Sequence, residues 1–223
     1  MVFHYFCSPP ILRLLNTNKS ILLEPPRRWA HCGGHSPVSL FFSQIAPVSR
    51  EALLLLDEFT YPVSVPKGKM ILRQGGTGDV LYFIVKGAAR GLIMDDDKEI
   101  TTWINEENEV IGTIRNLGTG AATDEMVQAL ENCELVAIPY DIIERIYSEF
   151  PEANAVGRIM LEESYRGAEE RAYIARIHSA EKKYKRLMDT RPNLCNRVPL
   201  KHIASYLGMT LETLSRIRNK RNF

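Results

Sequence analysis

The sequence predicts an α+β protein with a body of short antiparallel strands, then a long helix, then two short helices joined by a sharp turn. Three observations support this order. Strand-like runs separated by turn residues fill 67–139, helical texture returns at 141–187, and a compact two-helix motif occupies 200–217. Short strands at this spacing are typical of an antiparallel sandwich or barrel.

The first 35 residues have the weakest pattern. Proline pairs at 9–10 and 25–26, a glycine pair at 33–34 and no sustained periodicity predict a poorly structured arm over 1–35, or an extension upstream of the true start. The arm lacks the basic region of a signal peptide, and no apolar run in the chain reaches the roughly 18 residues that span a bilayer. With 45% hydrophobic residues and four scattered cysteines, we expect a cytoplasmic protein with free thiols and no membrane partner.

The body of the protein is predicted over 36–150. It begins with a short helix at 49–59, for which Ser49 is the expected N-cap. Turn residues (Gly, Pro, Asp, Asn) then separate seven apolar runs rich in Val, Ile, Leu and aromatic residues. The expected strands lie within 69–73, 80–86, 89–94, 99–104, 108–112, 125–130 and 134–139.

A long connecting helix is predicted within 151–178, after a shorter helix at 141–149. Residues 151–177 would span about 40 Å at 1.5 Å per residue. A helix of this length between two domains indicates a homodimer seam, although packing on its own body is the alternative. The heptad is impure, so a partial coiled-coil contact is expected. Its two apolar rows are Met160, Gly167 and Ile174, and Val156, Glu163, Glu170 and Ile177.

Residues 179–223 are predicted to form a further helix, starting at Ser179, and a helix-turn-helix. The segment LKHIASYLGMTLETLSRI, residues 200–217, has the spacing that two short crossing helices need. Ala204 is small enough for close approach, Gly208 can take a positive φ, and Thr210 can cap the second helix. The expected shared core is Ile203, Leu207, Met209, Leu214 and Ile217.

Charge is distributed unevenly, although the net charge is only +1. Residues 176–223 hold 12 Lys or Arg against three Asp or Glu, whereas residues 36–175 hold 12 against 23. A basic segment that coincides with a helix-turn-helix indicates a surface for the phosphates of double-stranded DNA. An ordinary αα-hairpin with an uneven surface charge is the alternative.

The second helix of the motif supplies the candidate DNA-binding residues, because such helices present their N-terminal part to base edges. Arg216 can pair with guanine and Glu212 with cytosine, whereas Leu211 favours an apolar contact with a thymine methyl. Thr210, Arg218, Lys220 and Arg221 are expected to hold phosphates. The predicted set is Thr210, Leu211, Glu212, Thr213, Ser215, Arg216, Arg218 and Lys220.

In this order of parts the chain resembles the Crp/Fnr family of bacterial transcription regulators. Two segments carry the resemblance: ILRQGGTGDVLYFIVKGAARG at 71–91, similar to the family's cyclic-nucleotide-binding roll, and VPLKHIASYLGMTLETLSRIRNK at 198–220. The second is most similar to members that end just after the recognition helix, without a wing. The resemblance implies a jelly-roll-like β-roll (a double-stranded β-helix) as sensor, a homodimer, a small-molecule effector and RNA polymerase as a possible partner.

The expected effector pocket departs from the family pattern. Where cyclic-AMP-binding members have Gly-Glu-Leu, this chain has Gly112, Thr113 and Ile114; where they have Arg-Ser/Thr-Ala, it has Thr123, Asp124 and Glu125. The phosphate-neutralising arginine is absent, and two acids follow its position. Arg115 is the nearest base and is expected to point into solvent. A phosphate buried without a cation is costly, so we expect no cyclic AMP binding in the family manner.

Other sites and classes are disfavoured by residue placement. Cys7 and Cys32 stand alone and cannot supply the four thiolates of an iron–sulfur cluster. A cupin-like metal site would need histidines in the roll, and residues 36–177 contain none. The same absence removes the commonest axial ligand of a haem, although the sequence motifs leave haem sensing open. We therefore expect no cofactor and no enzyme. The non-enzyme alternative is a degenerate family member whose roll binds another small molecule or a protein without reading DNA.

Overall fold

The computed structural model describes residues 27–220. Most of the predicted arm, with Cys7, and the terminal residues 221–223, with Arg221, lie outside this range. The helices are α1 Pro37–Ile45, α2 Arg50–Phe59, α3 Tyr140–Glu149, α4 Ala153–Arg176, α5 Ala180–Thr190, α6 Pro192–Arg197, α7 Leu200–Tyr206 and α8 Leu211–Lys220. The strands are β1 Tyr61–Val65, β2 Met70–Leu72, β3 Val80–Lys86, β4 Ala89–Asp95, β5 Lys98–Asn105, β6 Val110–Ile111, β7 Met126–Ala129 and β8 Cys133–Pro139.

The strands form the predicted antiparallel roll, so the α+β fold class is confirmed. One sheet has the order β1-β8-β3-β6 and the other β2-β7-β4-β5. Alternate residues of each strand point between the sheets, as the period of two requires. The buried side chains between them include Ile84, Val127 and Leu135, each at most 2% exposed.

Each of the seven predicted strands is present, but strand β1 was not predicted. Its sequence, YPVSV, contains Pro62, which argues against a strand in the interior of a sheet. In the structure β1 lies at the edge of its sheet and pairs only with β8, with Pro62 opposite Val136. An edge strand tolerates the missing N–H group, and this explains the omission. Helix α1, capped by Ser36, was also missed.

Residues 27–35 depart from the prediction of a poorly structured arm. Arg27–Cys32 form a 3-10 helix, and Trp29 is buried. The indole Nε1 donates to the Asp57 carbonyl over 3.0 Å, and the buried Asp57 carboxylate accepts from the Ser36 backbone over 2.7 Å and contacts His35 Nδ1 over 2.7 Å. These contacts fix the segment to the C-terminal end of α2.

The long helix α4 is close to its predicted extent, but its apolar rows do not form one exposed seam. Val156 and Ile174, one from each predicted row, are buried against the rest of the chain. The large apolar side chains that α4 exposes most are instead Leu161 (66%) and Tyr165 (71%). Within the described residues, no helix is long and apolar enough to cross a membrane.

Helices α5 to α8 pack against the roll and do not stand apart from it. The buried core that holds Ile203, Leu207 and Leu214 also contains Ala88, Ile104 and Leu130 of the roll. The helix-turn-helix therefore shares a continuous hydrophobic core with the strands that precede it.

Candidate nucleic-acid interface and effector pocket

The turn between α7 and α8 has the geometry that its sequence predicts. Gly208 has φ +64°, a left-handed conformation that only glycine adopts at little cost. Thr210 then caps α8, because its Oγ1 accepts from the Thr213 backbone N–H over 3.2 Å. Lys183 of α5 supports the turn from outside, and its Nζ donates to the Leu207 carbonyl over 3.0 Å.

The core of the two-helix motif also matches its prediction. Ile203, Leu207, Leu214 and Ile217 are buried, and Met209 packs against them from a half-buried position. Ala204 is buried at the crossing of the helices. This packing sets the direction of α8 and decides which of its side chains point away from the protein.

One face of α8 is open to solvent along its length. Leu211, Glu212 and Arg216 are exposed at its N-terminal half, and Lys220 at its end. Thr213, Ser215 and Arg218 are half-buried, so they lie at the flanks of this face. A shallow surface concavity follows the exposed face and is lined by Leu211, Glu212, Ser215, Arg216, Asn219 and Lys220.

Glu212 interacts with its own helix terminus as well as with solvent. Its own backbone N–H and the Thr210 hydroxyl lower the pKa of the Glu212 carboxyl. A carboxylate in the first turn is favoured by the helix dipole. Glu212 therefore stabilises the start of α8 while remaining exposed beside Arg216.

Arg197, at the end of α6, is bound by acids of the roll. Its Nη1 and Nη2 each donate to a Glu107 oxygen over 2.7 Å, and Nη2 also donates to Glu131 over 2.6 Å. The hydrogen bond from Arg197 lowers the pKa of Glu107 to about 2. We call Glu106, Glu107, Glu109 and Glu131 the glutamate cluster.

Arg191, between α5 and α6, contacts the same cluster. Its Nη2 donates to Glu109 over 2.7 Å and to Glu106 over 3.1 Å, while Nη1 donates to the Ile104 carbonyl over 2.7 Å. Two of the arginines counted in the basic C-terminal segment are thus neutralised by the roll. They connect the two parts of the chain and are not available to DNA in this conformation.

Helix α7 covers the edge of the sheet at β5. The Ser205 hydroxyl accepts from the Thr101 backbone N–H over 2.9 Å and lies 3.3 Å from the Glu99 carbonyl, to which it donates. Because β5 is an edge strand, these backbone groups have no neighbouring strand on this side. One serine side chain takes the place of part of a strand partner.

A buried arginine and a buried histidine lie at this same contact. Arg90, 1% exposed, donates to Thr101 Oγ1 over 3.0 Å and to Gln128 over 2.8 Å, and it also pairs with Glu99. Burial, and then the nearby charge of Arg90, lower the pKa of His202 to about 4. His202 is consequently neutral at pH 7 and lies in the contact between α7 and the roll.

The two halves of the expected effector pocket meet at the glycine-rich loop before β3. The Thr123 backbone pairs with Gly75 over 2.8 Å and with Gly76 over 3.0 Å. A Cβ built on Gly78 would lie 2.7 Å from Thr113 Oγ1, so only glycine fits there. Among the described side chains, Thr113 Oγ1 is the buried polar atom without a hydrogen-bond partner.

The other predicted pocket residues do not add a cation to this site. Ile114, Arg115 and Asp124 are exposed, and Gly112 packs against Leu81. The carboxylate of Glu125, the second acid after the position of the missing arginine, accepts from Trp103 Nε1 and from Thr102 Oγ1, each over 2.9 Å. No cluster of three or more metal-binding side chains occurs within residues 27–220.

Sequence reasoning missed the residues that act across long separations. Arg191 and Arg197 lie 82 to 91 residues from cluster members Glu106, Glu107 and Glu109, and Lys183 lies 24 residues from Leu207. Short-range spacing in the sequence cannot predict such pairs. The one available signal was the uneven charge: acidic residues are in excess in the roll, and basic residues are in excess in the C-terminal segment.

Residues 62–150 match the family model described as the cyclic nucleotide-binding domain. This range runs from β1 to the end of α3 and includes both halves of the expected pocket. No curated protein matches the chain.

Solved structures with a similar fold include several bacterial regulators. FixK2 from Bradyrhizobium japonicum is 19% identical over 72% of this chain and 83% of its own, with a TM-score of 0.61. CLP from Xanthomonas campestris, described as a c-di-GMP-responsive global regulator, is 16% identical over 77% of this chain and 91% of its own, also with a TM-score of 0.61. A protein from Eubacterium rectale assigned to the Crp/Fnr family is 15% identical over 78% of this chain and 83% of its own, with a TM-score of 0.60. Residues 62–150 are therefore similar to a cyclic nucleotide-binding domain, and the chain shares its overall fold with regulators of the Crp/Fnr type.

Proposed function

We propose that this protein is a DNA-binding transcription regulator of the Crp/Fnr type whose effector is not cyclic AMP. The single observation that supports DNA binding most strongly is the exposed face of α8. It presents Glu212, Arg216 and Lys220 together on a helix that is rigidly fixed by a buried core. Recognition helices read base edges from such a face, while neighbouring bases hold phosphates.

The proposed regulator acts as a homodimer joined along α4. Leu161 and Tyr165, one helical turn apart, are the most exposed large apolar side chains of that helix. They line a surface concavity with Tyr147 and Gly157. A second copy of α4 would cover these side chains, and two copies of α8 would then face two half-sites.

Selection from a random DNA library tests the proposed function. The full chain should enrich duplexes that share a two-fold symmetric sequence, because a homodimer presents two equivalent helices. Binding to the enriched duplex should weaken steeply as salt concentration rises, since bound phosphates release counterions. Failure to enrich any sequence, with no salt-dependent binding, would instead favour the degenerate family member described above.

The pocket of the roll supports an effector other than cyclic AMP. Thr113 and Thr123 are both buried at the glycine-rich loop, and neither can neutralise a phosphate. Arg115, the nearest base in sequence, is exposed. A cyclic phosphate held there would lose its hydration without gaining a charged partner.

Calorimetry with cyclic AMP tests this part of the proposal. Titration of the pure full-length protein should give no heat of specific binding at micromolar nucleotide concentrations. The Arg115→Ala variant should behave identically, because Arg115 is exposed to solvent. Micromolar binding that Arg115→Ala abolishes would contradict the assignment and would place Arg115 in the role of the missing arginine.

A further inference from the structure

Lys183 lies on α5, outside the helix-turn-helix, yet its ammonium reaches the turn between α7 and α8. The Nζ donates to the carbonyl of Leu207, the C-cap of α7, over 3.0 Å. A Cβ built on Gly208 would lie 3.8 Å from the same Nζ. A positive charge at this end of α7 is favoured by the helix dipole and satisfies a carbonyl that has no helical donor.

The ammonium retains donors after it has bound Leu207. A lysine has three N–H groups, and Leu207 is the hydrogen-bond acceptor recorded for Lys183 within the described residues. The side chain is half-buried, so part of it faces solvent. Thr210, two residues beyond Gly208, begins the helix whose exposed face is proposed to enter the major groove.

The surrounding bases divide into those that the protein itself neutralises and those that it leaves unpaired. Arg186 pairs with Glu170, and Arg191 and Arg197 pair with the glutamate cluster. Within the part of the chain that the structure describes, Lys183 has no carboxylate within salt-bridge distance. An unpaired cation held rigidly beside the entrance of a recognition helix suits a DNA phosphate, which fixes the register of that helix.

On the basis of the proposed DNA-binding function, we propose that Lys183 is a phosphate-contacting and positioning residue for α8. Its ammonium bridges the Leu207 carbonyl and one phosphate of the bound duplex. The DNA-binding surface consequently extends beyond the two-helix motif to α5, where sequence reasoning placed no contact. Lys183 carries no sequence information itself, but it fixes the turn from which the base-reading side chains project.

The salt dependence of DNA binding tests this role. Full-length Lys183→Met should bind both a selected duplex and a shuffled duplex more weakly, and the slope of log K against log salt should fall in magnitude by about 0.9 per protomer. Lys183→Arg, which keeps the charge, should retain most of the wild-type slope. If thermal unfolding shows that Lys183→Met is not folded, Lys183→Gln gives the same comparison with a side chain that can still donate to Leu207.

Lys185→Met is the matched control, because Lys185 is exposed on the same helix and the substitution removes the same charge. Its slope should stay close to that of the wild type. An unchanged slope in Lys183→Met, or an equal fall in Lys185→Met, would overturn the role of Lys183 and leave the proposed function standing. Absence of DNA binding by the wild type would instead refute the proposed function.

Discussion

The two helices of the helix-turn-helix meet different surroundings, although their sequences are adjacent. Helix α7 is covered by the roll: His202 and Ala204 are buried, and Ser205 binds the edge of β5. Helix α8 is buried only along the stripe of Leu214 and Ile217, and its opposite face is open. Under the proposed function this comparison predicts a division of roles, in which α7 fixes the motif to the roll and α8 reads DNA.

The basic residues follow the same division. Arg191 and Arg197, next to α7, are neutralised by the glutamate cluster. Arg216 and Lys220, on α8, are exposed and have no salt bridge within the described residues. Substitutions on the α7 side should therefore change stability, whereas substitutions on α8 should change DNA binding with little effect on stability.

Loss of the guanidinium of Arg197 should have the largest effect on stability. Arg197→Ala leaves Glu107 and Glu131 close together without their common partner. The side chain of Arg197 is 30% exposed, so water recovers part of the loss and we expect about 2 kcal/mol of destabilisation in urea unfolding.

Arg186→Ala is the control for Arg197→Ala, because Arg186 pairs with Glu170 in a more exposed position. Its cost should be clearly smaller than that of Arg197→Ala, because solvent screens an exposed ion pair. Equal losses in the two variants would mean that the contact with the glutamate cluster contributes no more than an ordinary surface ion pair.

Acid should weaken the α7 contact through His202. Its pKa is about 4 in the folded protein against 6.5 for the free side chain, so below pH 6.5 the unfolded chain binds a proton that the folded chain excludes. The contribution of neutral His202 to the free energy of unfolding is fully present above pH 6.5 and is lost as the pH falls towards 4. At pH 5.5 the loss should be about 1 kcal/mol relative to pH 7.5.

The His202→Gln variant isolates that contribution, because glutamine does not titrate. Arg90, Lys201 and Glu99, which influence His202, remain in both proteins. The difference in unfolding free energy between wild type and variant should therefore change between pH 7.5 and 5.5. A constant difference would show that His202 is not protected from protonation in the folded protein.

Removal of the Ser205 hydroxyl should have an effect no larger than that of protonating His202. Ser205→Ala deprives the Thr101 backbone N–H of its 2.9 Å acceptor at the edge of β5. The expected loss is about 1 kcal/mol in urea unfolding. Hydrogen exchange at the Thr101 amide should become faster in the variant, whereas unchanged exchange would show that water replaces the hydroxyl without consequence.

Much of the fold could be predicted from local pattern. The seven strand runs, the caps Ser49, Ser179 and Thr210, and the left-handed Gly208 all depend on residues within a few positions of one another. Strand β1 was missed because Pro62 reads as a strand breaker unless its edge position is known. Two residues of the apolar rows predicted on α4, Val156 and Ile174, are buried against the chain itself, which helical spacing alone could not distinguish from a dimer contact.

The candidate site was predictable only where it is local. The exposed face of α8 follows from helical periodicity around Leu214 and Ile217. The surroundings of Arg191, Arg197 and Lys183 could not be predicted, because their partners are distant in sequence. A count of charges does not show which basic side chains already form ion pairs. The side chain of Glu125 illustrates the same limit, since it is bound to Trp103 on a neighbouring strand.

The most direct test of the division between α7 and α8 is the DNA affinity of Arg216→Ala beside that of Lys220→Ala, each measured with a selected and a shuffled duplex. We predict that Arg216→Ala costs roughly 1–3 kcal/mol on the selected duplex and much less on the shuffled one, while Lys220→Ala weakens both about equally. Both variants should unfold within about 0.5 kcal/mol of the wild type. An Arg216→Ala variant that loses no affinity, or loses it equally on both duplexes, would contradict base reading by the exposed face of α8.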